Sequence, residues 1–92
     1  MSVENAARAP SETWDEIVVR VLNRAGVPVN ISGGGGWSAT CTTGAKPEYG
    51  PDACEFGGLW PGTYYLQPEG AEVQLEVEMD GLGIAFVAFA PP

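Results

Sequence analysis

Two cysteines, Cys41 and Cys54, are the residues best suited to covalent chemistry. They flank a stretch from Gly44 to Asp52 that holds two prolines and two glycines, a composition that predicts a surface loop. A hairpin around that loop would bring the thiols together. A bridge closing an interval of this length stabilises by about 3 kcal/mol in the chain-entropy account. The alternatives at this stage are two buried free thiols or half of a metal site. Zinc takes four ligands, and the chain has no His and no third Cys, so no metal or cofactor is expected. A disulfide between Cys41 and Cys54 is therefore the expectation, with an extracellular or cell-surface location as its corollary.

The aromatic residues form the second group: Trp14, Trp37, Trp60, Tyr49, Tyr64 and Tyr65. Indole and phenol rings bury large areas in small cores. Exposed, they also make platforms on which the C–H faces of pyranose rings stack. Trp60 belongs to a turn and Tyr49 to a loop, and Trp37 follows a run of four glycines. These three, Trp60, Tyr49 and Trp37, are the candidate ligand-binding residues. A third group is acidic. Glu72, Glu76 and Glu78 recur on one side of an alternating segment, and Asp80 follows them. Alternate residues on a strand lie about 7 Å apart, so these carboxylates could share a calcium ion with loop carbonyls. The alternative is a solvated row that keeps a sheet from pairing edge to edge. Catalysis has little to work with. The absence of His removes the commonest general base, and Ser32 and Ser38 lack a nucleophile-elbow context. No enzyme activity is expected.

The elements that must position these residues read as short strands. Ile17, Val19 and Val21 alternate with Glu16, Val18, Arg20 and Leu22 in a first strand from Trp14 to Asn23. Strands follow at Val27 to Ser32, Trp37 to Thr43, Ala53 to Phe56 and Thr63 to Gln67. The run Gly33 to Gly36 suits a mobile loop or a bulge between sheets. Pro61-Gly62 predicts a tight turn before Thr63-Tyr64-Tyr65-Leu66. By alternation Tyr64 and Leu66 point inward and Tyr65 outward. From Glu72 to Met79, Val73, Leu75, Val77 and Met79 face one way and Glu72, Gln74, Glu76 and Glu78 the other. Asp80-Gly81 signals a hairpin. The last strand, Ile84 to Ala90, is apolar on both faces, as a strand central in a sheet would be. The resulting expectation is an all-β, antiparallel, seven-stranded β-sandwich of transthyretin-like or immunoglobulin-like topology.

Length and charge bound the rest. The 92 residues make one domain, expected to span residues 13–90. Residues 1–12 read as a leader or linker, and Pro91-Pro92 as the start of a Pro-rich linker. Met1 to Pro10 has no basic segment followed by an apolar core, so a secreted parent would be represented by an excised piece. A net charge of −8 repels phosphate and anionic lipid, which argues against nucleic acid and membrane partners. No apolar run approaches the roughly 20 residues of a membrane-spanning helix.

Two motifs carry a resemblance. Gly26-Val27-Pro28-Val29 follows the first strand, and Leu59-Trp60-Pro61-Gly62-Thr63-Tyr64 forms a later corner before a Phe-bearing last segment. In that order, from about Glu16 to Phe89, the chain resembles the transthyretin-like modules, which include carboxypeptidase regulatory-like domains and the B-type (Cna-B-like) repeats of collagen adhesins. The resemblance implies a non-catalytic module of a larger secreted or cell-surface bacterial protein. Such a module serves as a structural spacer or an adhesion domain. Its partners would be neighbouring domains, a surface protein or a polysaccharide, and the module itself would be a monomer. A carbohydrate-binding module using the exposed Trp and Tyr is the alternative. The Lys–Asn isopeptide bond of many adhesin repeats is not expected: the first strand carries Arg20, the last strand has no Asn, and the one lysine, Lys46, lies in a loop.

Overall fold

The computed structural model describes residues 1–11 and 14–92, the side chains of residues 5 and 6 excepted. Eight strands appear among them: β1 (Ser2–Pro10), β2 (Asp15–Val21), β3 (Pro28–Ser32), β4 (Ser38–Thr42), β5 (Ala53–Leu59), β6 (Gly62–Pro68), β7 (Leu75–Met79) and β8 (Gly83–Ala90). They form two four-stranded sheets, ordered β1-β8-β2-β5 and β4-β3-β6-β7. No helix among the described residues is long and apolar enough to cross a membrane.

The alternation read from sequence decides which side chains fill the space between the sheets. Ile17, Val19 and Val21 of β2, with Phe56 of β5 and Ala85, Val87 and Phe89 of β8, meet Val29 and Ile31 of β3, Tyr64 and Leu66 of β6 and Val77 and Met79 of β7. Each of these is less than one-tenth exposed, so nearly all of its apolar area is removed from water. The outer face of β2 and β8 is covered as well. The segment Pro47–Tyr49, a single 3₁₀ turn, folds back so that the Tyr49 ring meets Phe86 edge-on at 6.2 Å. Val18 and Ala88 are buried beside them. That cover explains why β2 and β8 carry apolar residues on both faces.

Four expectations need correction. The expected leader is an edge strand: β1 pairs antiparallel with β8 from Ser2 opposite Ala90 to Pro10 opposite Gly83. Glu12 and Thr13, where leader was to give way to domain, lie outside the described residues. The strands therefore number eight among the described residues, not seven. They are not all antiparallel, because β2 runs parallel to β8, from Glu16 opposite Ile84 to Val21 opposite Phe89. Finally, neither expected hairpin around Asp80-Gly81 or between the cysteines exists as such. β7 and β8 lie in different sheets, and so do β4 and β5.

Polar side chains pin the connections between strands. Asp15 is buried at the start of β2, and its carboxylate accepts the Gly83 N–H at 2.9 Å and the Gly81 N–H at 3.3 Å. It thereby fixes the crossing from β7 to β8. Thr43 Oγ1 accepts the Val27 N–H and donates to the Arg24 carbonyl, holding the turn before β3. Asp52 accepts Arg20 Nε at 2.7 Å, Arg20 Nη2 at 3.2 Å and the Asn23 N–H at 2.8 Å. The Arg20 hydrogen bonds, foremost, hold the Asp52 carboxyl below its ordinary pKa against the opposing effect of burial.

Candidate functional site

The chain crosses between sheets at Trp60-Pro61-Gly62, where β5 ends and β6 begins. Gly62 sits at φ +156°, a conformation that residues with a Cβ rarely adopt. Tyr64, two residues on, donates its hydroxyl to the Trp60 carbonyl at 2.6 Å and so ties the corner to the core. Burial, and then the charge of Asp15, holds that phenol above its ordinary pKa.

Opposite this corner lies the glycine run. Gly34–Gly36 makes one 3₁₀ turn, with Gly35 and Gly36 at φ +72° and +78°. The Gly33 N–H donates to the Trp37 carbonyl at 2.9 Å and closes the loop. Gly33 itself is extended, and its role is clearance: a Cβ there would lie 2.8 Å from the Tyr64 ring. Trp37 packs on the same ring edge-on, with centroids 5.9 Å apart.

Between these two walls runs a groove of about 670 Å³. It is lined by Gly33, Gly34 and Trp37 from the glycine run and by Gly57 to Tyr65 from the β5–β6 corner. None of the lining residues is charged. Trp60 is 83% exposed and Trp37 44%. The glycines leave peptide N–H and C=O groups unshielded by side chains, and Thr63 and Tyr65 add hydroxyls. The Tyr65 hydroxyl donates to Glu76 at 3.2 Å, which raises its pKa. The arrangement can stack flat apolar faces and hydrogen-bond neutral polar groups.

Trp37 and Trp60 are thus brought together, but Tyr49 is not. It sits on the outer face of the β1-β8-β2-β5 sheet against Phe86, where burial raises its pKa with the help of Glu55, Glu16 and Glu48. Trp14 is exposed just ahead of β2 and does not line the groove, although its neighbour Asp15 pairs with Leu59 of the groove wall. Tyr65, read only as outward-facing, lines the groove. The glycine pairs at 33–34 and 57–58 are the further groove residues that the sequence reading missed. A signal existed: each pair lies within four residues of a tryptophan.

Cys41 and Cys54 are disulfide-bonded, with Cα atoms 5.9 Å apart. The bond joins β4 to β5 and so staples one sheet to the other. The acidic candidates do not converge. Glu72 lies outside β7, Glu76 engages Tyr65, and Asp80 stands 3.6 Å from Arg8. Among the described residues no three His, Cys, Asp or Glu side chains are grouped to hold a metal ion, Glu72, Glu76, Glu78 and Asp80 included. β7 is instead an edge strand, and its carboxylates face water.

No protein-family model matches this chain, and no curated protein and no solved structure matches it either. Fold and site define its class directly: a disulfide-stapled, two-sheet all-β domain with an uncharged aromatic groove at one end.

Proposed function

We propose that this chain is a non-catalytic β-sandwich module of a larger secreted or cell-surface protein, and that the groove between Trp37 and Trp60 is its binding site. One observation carries the reading: two exposed indoles line one groove that no charged side chain lines. Large exposed apolar surface of this kind marks interaction sites. The disulfide supports an oxidising compartment, and the likeness of the Gly26 to Val29 and Leu59 to Tyr64 segments to transthyretin-like modules supports an extracellular accessory role.

The ligand that best fits the groove is a neutral saccharide. Its C–H faces would stack on Trp37 and Trp60, and its hydroxyls would pair with the bare peptide groups of the glycines and with Thr63 and Tyr65. The net charge of −8 disfavours acidic glycans. The test is an amide NMR titration with neutral polysaccharides, reading the indole N–H signals. Saturable shifts at Trp37 and Trp60 but not at Trp14 are expected. Trp60→Ala should weaken binding at least tenfold, about 1.4 kcal/mol. Indole signals that ignore every neutral glycan would remove the saccharide reading and leave a spacer or protein-adhesion role.

A further inference from the structure

β1 is an edge strand with a single neighbour, β8. Its ladder with β8 runs its full length, interrupted by one bulge between Val3 and Asn5. Yet none of its described side chains is buried, and Val3, its largest aliphatic, is 36% exposed. Its ion pair among the described residues, Arg8 with Asp80 at 3.6 Å, joins side chains 44% and 89% exposed, a pair of little worth in water. Among its described residues, β1 is kept in place by main-chain hydrogen bonds at a sheet edge, with Met1 just ahead of it packed partly against the core.

β8 is the opposite case. From Gly83 to Ala90 it has no charge and no proline. Ala85, Val87 and Phe89 enter the core, while Phe86 and Ala88 lie under or beside Tyr49. With β1 in place it is central in its sheet. If β1 lifts away, the core remains and β8 becomes an exposed, uncharged edge eight residues long. Such an edge pairs readily with another strand. The strand that fits it best is β1 of a second copy, since that strand remakes every main-chain bond in the same register and buries the same surface.

We propose that β1 is an exchangeable strand and that the β8 edge is an acceptor for β1 of a second copy of this chain. This surface is separate from the groove and does not depend on it. In a reciprocal pair each β1 completes the other copy's sheet, a form of strand addition.

The test uses the register. Ala9 stands opposite Ile84. A chain with Ala9→Cys and a chain with Ile84→Cys are mixed at high concentration in a mildly oxidising buffer. Neither can form the new bond within itself. A covalent heterodimer mapped to residues 9 and 84 is expected, at least tenfold above that formed when Ile84→Cys is replaced by Thr40→Cys, an exposed position on β4. Hydrogen exchange on the unmodified chain decides the matter even if a variant fails to fold. Amides of β8 that point to β1 should exchange at least a hundredfold faster than those that point to β2. Equal protection on the two sides of β8 means that β1 leaves only when the whole domain unfolds, and overturns the proposal.

Discussion

Reducing the Cys41–Cys54 bond should lower the melting temperature by about 12–24 °C. The interval between the cysteines is 13 residues. Closing a loop of that size removes about 10 cal/mol/K from the unfolded chain, or about 3 kcal/mol at 25 °C. For a domain below 100 residues each kcal/mol is worth roughly 4–8 °C. Native-state contributions add to the effect, because Cys54 is fully buried and the bond links strands of two sheets that no ladder joins. Melting followed by circular dichroism, with and without a phosphine reductant, measures the shift. The Cys41→Ala, Cys54→Ala double variant should melt at or below the reduced protein, since it also loses the buried sulfur of Cys54. Its melting should be indifferent to reductant, which establishes that this bond alone responds. A shift below about 4 °C, near 1 kcal/mol, would refute the idea that the thin core depends on the staple.

Two further outcomes follow from contacts around the core. Gly33→Ala places a Cβ 2.8 Å from the Tyr64 ring, which the Trp60 carbonyl and Trp37 hold in place, so it should cost about 1–3 kcal/mol. Gly34→Ala meets nothing within 4 Å, and the two variants melting alike would show the close approach to be unimportant. The Arg20–Asp52 pair sets a pH dependence. The folded pKa of Asp52 is lowered, so its contribution is complete above the ordinary carboxylate value of about 4 and is lost as pH falls through the folded value. Asp52→Asn should cost about 1.5–3 kcal/mol at pH 7 and flatten urea stability below pH 4. An acid limb parallel to that of the parent chain would exclude Asp52 as its source.

Strands with one buried face were legible because burial imposes a period of two. Ile17, Val19 and Val21 show it, as do Tyr64 and Leu66, and each lies in the core. β1 was not legible for the complementary reason. Its described side chains bury neither face, so no period marks them, and its alanines have little strand preference. What makes β1 a strand is the ladder offered by β8, and that is a tertiary fact. The turn at Pro61-Gly62 and the one at Asp80-Gly81 were legible as turns but not as crossings. Alternation tells which face of a strand is buried, and it is identical whichever sheet the strand joins.

The same limit hid half of the groove, and it also says what the disulfide does for the site. Trp37 and Trp60 were candidates from their types alone, but Tyr49 was grouped with them because loop membership says nothing about which face a loop covers. The walls they belong to come from different sheets: Trp37 leads into β4, and Gly57 to Trp60 close β5. No main-chain ladder joins those two strands. The Cys41–Cys54 bond does, four residues behind Trp37 and three behind Gly57, which is about 10–13 Å along extended chain. Groove width is therefore set by that bond, by Gly33 on the Tyr64 ring and by the Tyr64 hydroxyl on the Trp60 carbonyl. The staple and the site are one mechanical unit. A reductant that loosens the fold should move the indole signals of Trp37 and Trp60 before it moves that of Trp14, at temperatures well below melting.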